Sequence, residues 1–255
     1  MSGKVYLVGA GPGDPELLTL KALRLLRSAD VVLHDALVTD EILRLARPHA
    51  LLIDVGKRAG RHRLTQSEIN QKMIEAARWA NVVVRLKGGD PLIFGRAAEE
   101  MSALRDAGIE FEVVPGITAA IAAAAQACIP LTNRGSASSI TFVTAHCTEG
   151  GYPIPFEKIA ASGGTVAVYM PGGRYSEISR EVIAAGVAAE TPCLIVSNAC
   201  RENQQLLWTD LGNLPSIVPP DAPALLIIGE VVRCRDTSVA AAALLLQSET
   251  VHAFG

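Results

Sequence analysis

Val5-Tyr6-Leu7-Val8-Gly9-Ala10-Gly11-Pro12-Gly13-Asp14 passes from an unbroken apolar run straight into a turn carrying three glycines and a proline. An apolar run without polar alternation fits a strand covered on both faces. A glycine-rich turn directly after it fits a loop that closes tightly and brings backbone to the surface. The same grammar recurs downstream. Val31–Leu33 is followed by Asp35, Leu51–Val55 by Gly56-Lys57, Val82–Leu86 by Gly88-Gly-Asp-Pro91, and Phe111–Val114 by Pro115-Gly116.

Helical periodicity lies between the runs, in Leu17 to Leu26 and after Thr65-Gln-Ser-Glu68, whose residue types predict a capping box with Ile69, Met73 and Ala76 on the buried face. Strands alternating with helices predict a mostly parallel sheet with right-handed crossovers. Beyond the alanine-rich helix expected over Ile117–Ala127, strand-like runs continue at Ile140–Thr144, Val166–Met170, Leu194–Ser197, Leu206–Thr209 and Leu225–Ile228. The links after Cys193 are too short for a helix between every pair, so some of these strands are expected to be antiparallel. The fold class is therefore α/β with two α/β domains. The first spans 1–132 and carries the glycine-rich loops, the second spans 133–240 with a mixed sheet, and 241–255 form a tail.

Three first-half loops, Gly9–Asp14, Gly88–Gly95 and Pro115–Ala119, follow strands of one presumed sheet. Ligands of open α/β sheets settle at such strand tips. A dinucleotide is the obvious rival occupant, since Gly9-x-Gly11 follows the first strand and Asp35 ends the second. The pattern fails at Asp14, where the third glycine of GxGxxG belongs, and Pro12 removes a backbone N–H from the phosphate cradle.

Composition narrows the classes further. Aromatic residues are 4% against 49% hydrophobic, so the core is aliphatic, and a net charge of −3 supplies no global field for nucleic acid or an anionic membrane. No apolar run approaches the length of a membrane-spanning helix and no secretory leader is apparent, so a soluble cytoplasmic protein is expected. The five cysteines form no CxxC pair and the five histidines show no ligand spacing, so no metal is expected.

Four strings in order, Val5-Tyr-Leu-Val-Gly-Ala-Gly-Pro-Gly-Asp-Pro-Glu-Leu-Leu-Thr-Leu20, Ala29-Asp-Val-Val-Leu-His-Asp-Ala-Leu-Val38, Val84-Arg-Leu-Lys-Gly-Gly-Asp-Pro-Leu-Ile-Phe-Gly-Arg96 and Val114-Pro-Gly-Ile-Thr118, resemble the tetrapyrrole methylases, and within them the uroporphyrinogen-III C-methyltransferases. The resemblance covers roughly residues 4–235 and is densest to about residue 145. It implies the class III methyltransferase fold, a homodimer, and S-adenosylmethionine bound in an interdomain cleft. The implied reaction is C-methylation of uroporphyrinogen III to precorrin-2 by way of precorrin-1, on the route to sirohaem, cobalamin or haem d1, with S-adenosylhomocysteine as by-product.

By the same resemblance Pro12, Gly88, Gly89, Asp90, Ile93, Thr118, Ala119, Met170, Ala199 and Ala224 fall on cofactor-binding positions. Asp35 and Lys57 fall on proton acceptor and donor positions, and Arg96 with Glu99 on the substrate-handling ones. Read from the residues alone, Asp35 is also a candidate helix cap and Met170 a candidate core residue.

The chemistry suits such a site. A sulfonium already carries its leaving group, so alignment with a pyrrole carbon, worth on the order of 7–11 kcal/mol, and removal of one proton suffice. The substrate's carboxylates call for local cations; Lys57-Arg58-Ala-Gly-Arg61-His62-Arg63 and Arg96 supply them, although the run also reads as a solvated loop.

The second half departs from the family pattern at Asn133, Ala145, Pro171 and Ser197–Glu202, and Ala199 puts a methyl where a glycine contact is usual. These departures keep open an alternative substrate, a later precorrin intermediate. The chain shows no dehydrogenase or ferrochelatase module, so the additional activities of multifunctional sirohaem synthases are not expected.

Overall fold

The computed structural model describes residues 3–56, 64–146 and 154–234. Lys57 and the basic run to Arg63, Cys147 and the expected tail 241–255 lie outside the described residues. The chain divides into two compact units between Ala119 and Ala120, ahead of the junction expected at 132/133.

The first unit alternates strand and helix. Its elements are β1 (Lys4–Gly9), α1 (Leu20–Ser28), β2 (Val31–His34), α2 (Asp40–Leu43), β3 (Leu51–Asp54), α3 (Gln66–Ala77), β4 (Val82–Lys87), α4 (Ala97–Asp106) and β5 (Phe111–Val114). All five strands are parallel, in the order β3-β2-β4-β1-β5. Successive side chains of a strand point to opposite faces, and both faces here are covered. Val5, Leu7, Val31, Leu33 and Val83 pack against Ile69, Met73 and Ala76 of α3 and Leu104 of α4. Val8, Val32, Val84 and Leu86 pack against Ala22, Leu25 and Leu26 of α1 and Ile42 of α2.

The caps explain where the helices begin. Thr65 accepts the Glu68 amide while Glu68 accepts the Thr65 amide, the expected capping box, worth about 1 kcal/mol. The helix expected over Leu17–Leu26 starts later. Pro15–Leu17 form a separate 3-10 turn, and Thr19 accepts the Ala22 amide at 3.1 Å to open α1 at Leu20. β3 departs from the two-sided burial expected of its apolar run, with Leu51 and Leu52 50% and 44% exposed. It is the sheet's edge, which α3 covers only in part.

The second unit takes in nearly all of α5 (Ala119–Gln126), then β6 (Ile140–Thr144), α6 (Phe156–Ala161), β7 (Thr165–Tyr169), α7 (Tyr175–Ala184), β8 (Pro192–Ser197), β9 (Gln205–Asp210) and β10 (Ala224–Ile228). Its sheet runs β6-β7-β10-β8-β9. β6 and β7 are parallel, whereas β10 is antiparallel to both neighbours and β9 to β8, so the sheet is mixed as expected. Met170, expected at the end of a strand, stands just outside β7 in a left-handed conformation (φ 52°).

Candidate active site

The strand order brings the three glycine-rich loops together. They leave the carboxyl tips of β4, β1 and β5, which are immediate neighbours in the sheet. Gly11 and Gly89 exchange backbone hydrogen bonds, Gly11 N donating to Gly89 O at 3.1 Å and Gly89 N to Gly11 O at 2.7 Å. Both stand at φ +68°, a conformation glycine adopts without steric cost.

Behind this bridge the backbones nearly touch. A Cβ on Gly116 would lie 2.3 Å from Gly89 O and 2.8 Å from Gly9 Cα, and one on Gly9 would lie 2.6 Å from Gly116. In front there is room. A Cβ on Gly89 would meet nothing nearer than Thr118 Cα at 3.9 Å and Ala119 N at 4.0 Å. Gly89, Thr118 and Ala119 thus border a backbone-walled recess at the strand tips, and Pro12, Gly88 and Ile93 belong to the same loops.

Asp90 belongs to this assembly as a tie. Its Oδ1 accepts the Leu92 amide at 2.8 Å and its Oδ2 the Gly116 amide at 3.0 Å, so one carboxylate closes its own loop and clamps the neighbouring one. Asp14, which stands where GxGxxG has its third glycine, caps the 3-10 turn by accepting the Glu16 amide at 2.8 Å.

Asp35 follows β2 and caps no helix with its side chain. Its Oδ1 instead accepts Nη2 of Arg85 at 2.5 Å, and the carboxylate keeps 29% exposure. Arg96 and Glu99 form a bidentate pair at the start of α4, Nε to Oε1 and Nη2 to Oε2 both at 2.7 Å, each about half exposed. The bonds to Glu99 raise the Arg96 pKa, and those to Arg96 lower that of Glu99. Arg96 stands at φ 57°, a left-handed conformation unusual for a side-chain-bearing residue. Two of the five guanidinium N–H groups serve Glu99, leaving others available for a carboxylate.

The second unit groups its own three candidates. Met170 follows β7, Ala199 follows β8 and Ala224 opens the antiparallel β10, so all three lie at one end of neighbouring strands. Met170 is 47% exposed, so it is no core residue in this unit. The turn around Ala199 is tightly wound. Asn198 and Cys200 have φ 51° and 61°, Asn198 N donates to Pro223 O at 2.8 Å, and Cys200 N donates to Gln204 Oε1 at 2.7 Å.

Sequence reading passed over one feature. Arg85 and Lys87 lie in and at the end of a run counted as apolar, yet both are buried and both meet Glu100 of α4, which has no exposed surface. The available signal was two charges spaced two residues apart on a central strand, hence on one face.

The tetrapyrrole (corrin/porphyrin) methylase family profile matches residues 4–215. Siroheme synthase 1 of Klebsiella pneumoniae is 50% identical over 234 residues, covering 91% of this chain and 50% of that protein. Siroheme synthase of Pseudoalteromonas translucida is 47% identical, covering 90% and 49%. The chain therefore spans about half the length of these curated relatives. Among solved structures, uroporphyrin-III C-methyl transferase of Thermus thermophilus complexed with S-adenyl homocysteine superposes with a TM-score of 0.80 at 42% identity, covering 91% of this chain and 94% of that one. A cobalamin biosynthetic enzyme, cobalt precorrin-4 methyltransferase, gives 0.79 at 30% identity, covering 90% and 95%. With a family profile over residues 4–215 and a 42% identical structure matched over 94% of its length, this chain belongs to the tetrapyrrole methylase family.

Proposed function

We propose that this chain transfers methyl groups from S-adenosylmethionine to ring carbons of uroporphyrinogen III, forming precorrin-2 by way of precorrin-1, as a cytoplasmic homodimer serving sirohaem or cobalamin synthesis. The observation that carries this reading is the recess bounded by Gly89, Thr118 and Ala119, whose walls are backbone because no side chain fits behind them. The Thermus structure, at 42% identity, supports it by its bound S-adenyl homocysteine.

When bound, S-adenosylmethionine supplies an electrophilic methyl on a sulfonium. The chain's residues do the remainder. Pro12, Gly88, Gly89, Ile93, Thr118 and Ala119 hold the donor, with Asp90 keeping two of the loops in register. The family resemblance adds Met170, Ala199 and Ala224 of the second unit to the candidate cofactor residues. Arg96, oriented by Glu99, grips a substrate carboxylate through its remaining N–H groups. Asp35 accepts the proton released as the methylated pyrrole regains its π-system, with Lys57 as the matching donor. No covalent protein intermediate is needed for this displacement.

The test is incubation of the purified chain with uroporphyrinogen III and S-adenosylmethionine, followed by mass analysis. A gain of two methyl groups is expected; no gain from folded protein that binds S-adenosylhomocysteine overturns the substrate assignment. The likeness to a cobalt precorrin-4 methyltransferase makes a later precorrin the competing substrate, and a panel of tetrapyrroles ranked by kcat/KM decides between them.

A further inference from the structure

Arg85, Lys87 and Glu100 put three ionisable side chains inside the first unit, at 2%, 3% and 0% exposure. Arg85 and Lys87 emerge from the same face of β4, towards α3 and α4, and Glu100 descends from the first turn of α4 between them. Arg85 Nε donates to Glu100 Oε1 at 2.9 Å. The Lys87 ammonium lies 3.0 Å from both Glu100 oxygens, donating to Oε1 and meeting Oε2 as an ion pair. Gln66 of α3 adds a longer contact at 3.4 Å.

Stability is a weak account of this cluster. Desolvating ions costs several kcal/mol each, and a buried ion pair is often replaceable by apolar residues without loss. Burial pushes the Lys87 pKa down, aided by the nearby Arg85 charge and opposed by Glu100 and Asp35. Burial opposes the charge on Arg85 as well, and Asp35 and Glu100 more than offset it. The cluster opens outward through Asp35, whose Oδ1 accepts a hydrogen bond from Arg85 Nη2 and whose side chain keeps 29% exposure. A guanidinium is a rigid planar fork, so fixing its Nε edge on Glu100 fixes where its Nη2 points.

We propose that Glu100, braced by Lys87, is a positioning residue for the reaction: acting through Arg85, it sets the orientation of the Asp35 carboxylate. The inference rests on the role given to Asp35 under the proposed function. Glu100 has no exposed surface, so the role assigned to it is indirect.

A double-mutant cycle of Glu100→Gln and Asp35→Asn tests it, measuring kcat, KM for the porphyrinogen and S-adenosylhomocysteine affinity. Glu100→Gln keeps the shape but removes the charge, and is expected to lower kcat by roughly 10- to 100-fold, the scale of a misplaced catalytic group. S-adenosylhomocysteine affinity and KM should stay within about twofold. Added to Asp35→Asn, Glu100→Gln should lower kcat by less than about twofold further, because coupled sites are not additive. Arg85→Lys, which keeps the charge and loses the fork, should resemble Glu100→Gln and serves should that variant fail to fold. The proposal is overturned if Glu100→Gln (or Arg85→Lys) leaves kcat intact, lowers it equally with and without Asp35, or abolishes S-adenosylhomocysteine binding. Full turnover by Asp35→Asn alone refutes the role of Asp35 itself and the positioning proposal with it; an impaired Asp35→Asn beside additive losses refutes the positioning alone.

Discussion

The carboxylate of Asp90, in the loop after β4, accepts the amide of Gly116, in the loop after β5, at 3.0 Å across the tip of β1. One side chain thereby fixes the distance between two walls of the candidate donor recess. Asp90→Ala removes this bond and the one from Leu92 N, leaving a half-buried amide without its acceptor. Hydrogen bonds to charged groups are worth about 1.5–3 kcal/mol, so S-adenosylhomocysteine affinity should fall by about tenfold or more. Calorimetric titration checks this, and Asp90→Asn, which retains one acceptor oxygen, should lose less.

Gly116→Ala would set a methyl 2.3 Å from Gly89 O and 2.8 Å from Gly9 Cα, both backbone atoms that cannot swing aside. The strand tips must spread, at a cost of about 1–3 kcal/mol in unfolding free energy, and donor binding should be lost. Gly173→Ala is the control: a Cβ there meets nothing within 4 Å, and its stability should change by no more than about 0.5 kcal/mol. Urea denaturation compares the two.

Arg96→Ala should separate substrate from donor. Arg96 is half exposed and, among the described residues, pairs at one edge with Glu99 and makes no side-chain bond to the glycine loops. Turnover should fall by roughly tenfold or more while S-adenosylhomocysteine binds as before. Loss of that binding would show that Arg96 is not principally a substrate residue.

Tyr175 gives a stability signature in the second unit. Its ring is 2% exposed among Ile178, Val182 and Leu211, its hydroxyl has no hydrogen-bond partner among the described residues, and burial pushes its pKa up to about 12. The neutral phenol is thus favoured by the folded state. That contribution is present below the phenol's ordinary value of about 10 and is lost as pH rises towards about 12. Tyr175→Phe should be as stable as the parent or slightly more so near neutrality, and its advantage should widen between about pH 10 and 12. Urea midpoints measured across that window check the sign.

Local pattern determined much of this protein. Short apolar runs announced the strands, and the ten expected runs coincide with the ten strands of the described residues, with ends shifted by a residue or two. Thr65 and Glu68 announced the capping box because its bonds span only three residues. The loops Gly9–Asp14, Gly88–Gly95 and Pro115–Ala119 were legible as loops of close backbone approach, because glycine enters the left-handed region without steric cost and leaves room for neighbouring backbone. Tertiary structure alone decided what these pieces do to one another. The order β4-β1-β5 set the three loops side by side, Asp90 became a clamp because Gly116 lies across the sheet from it, and β3 fell at the edge despite its apolar run. The pairing of Asp35 with Arg85, and of Arg85 and Lys87 with Glu100, joins residues from two strands and a helix. Sequence periodicity reports which face of its own element a residue occupies; which charge waits on the facing element depends on the packing of the whole sheet.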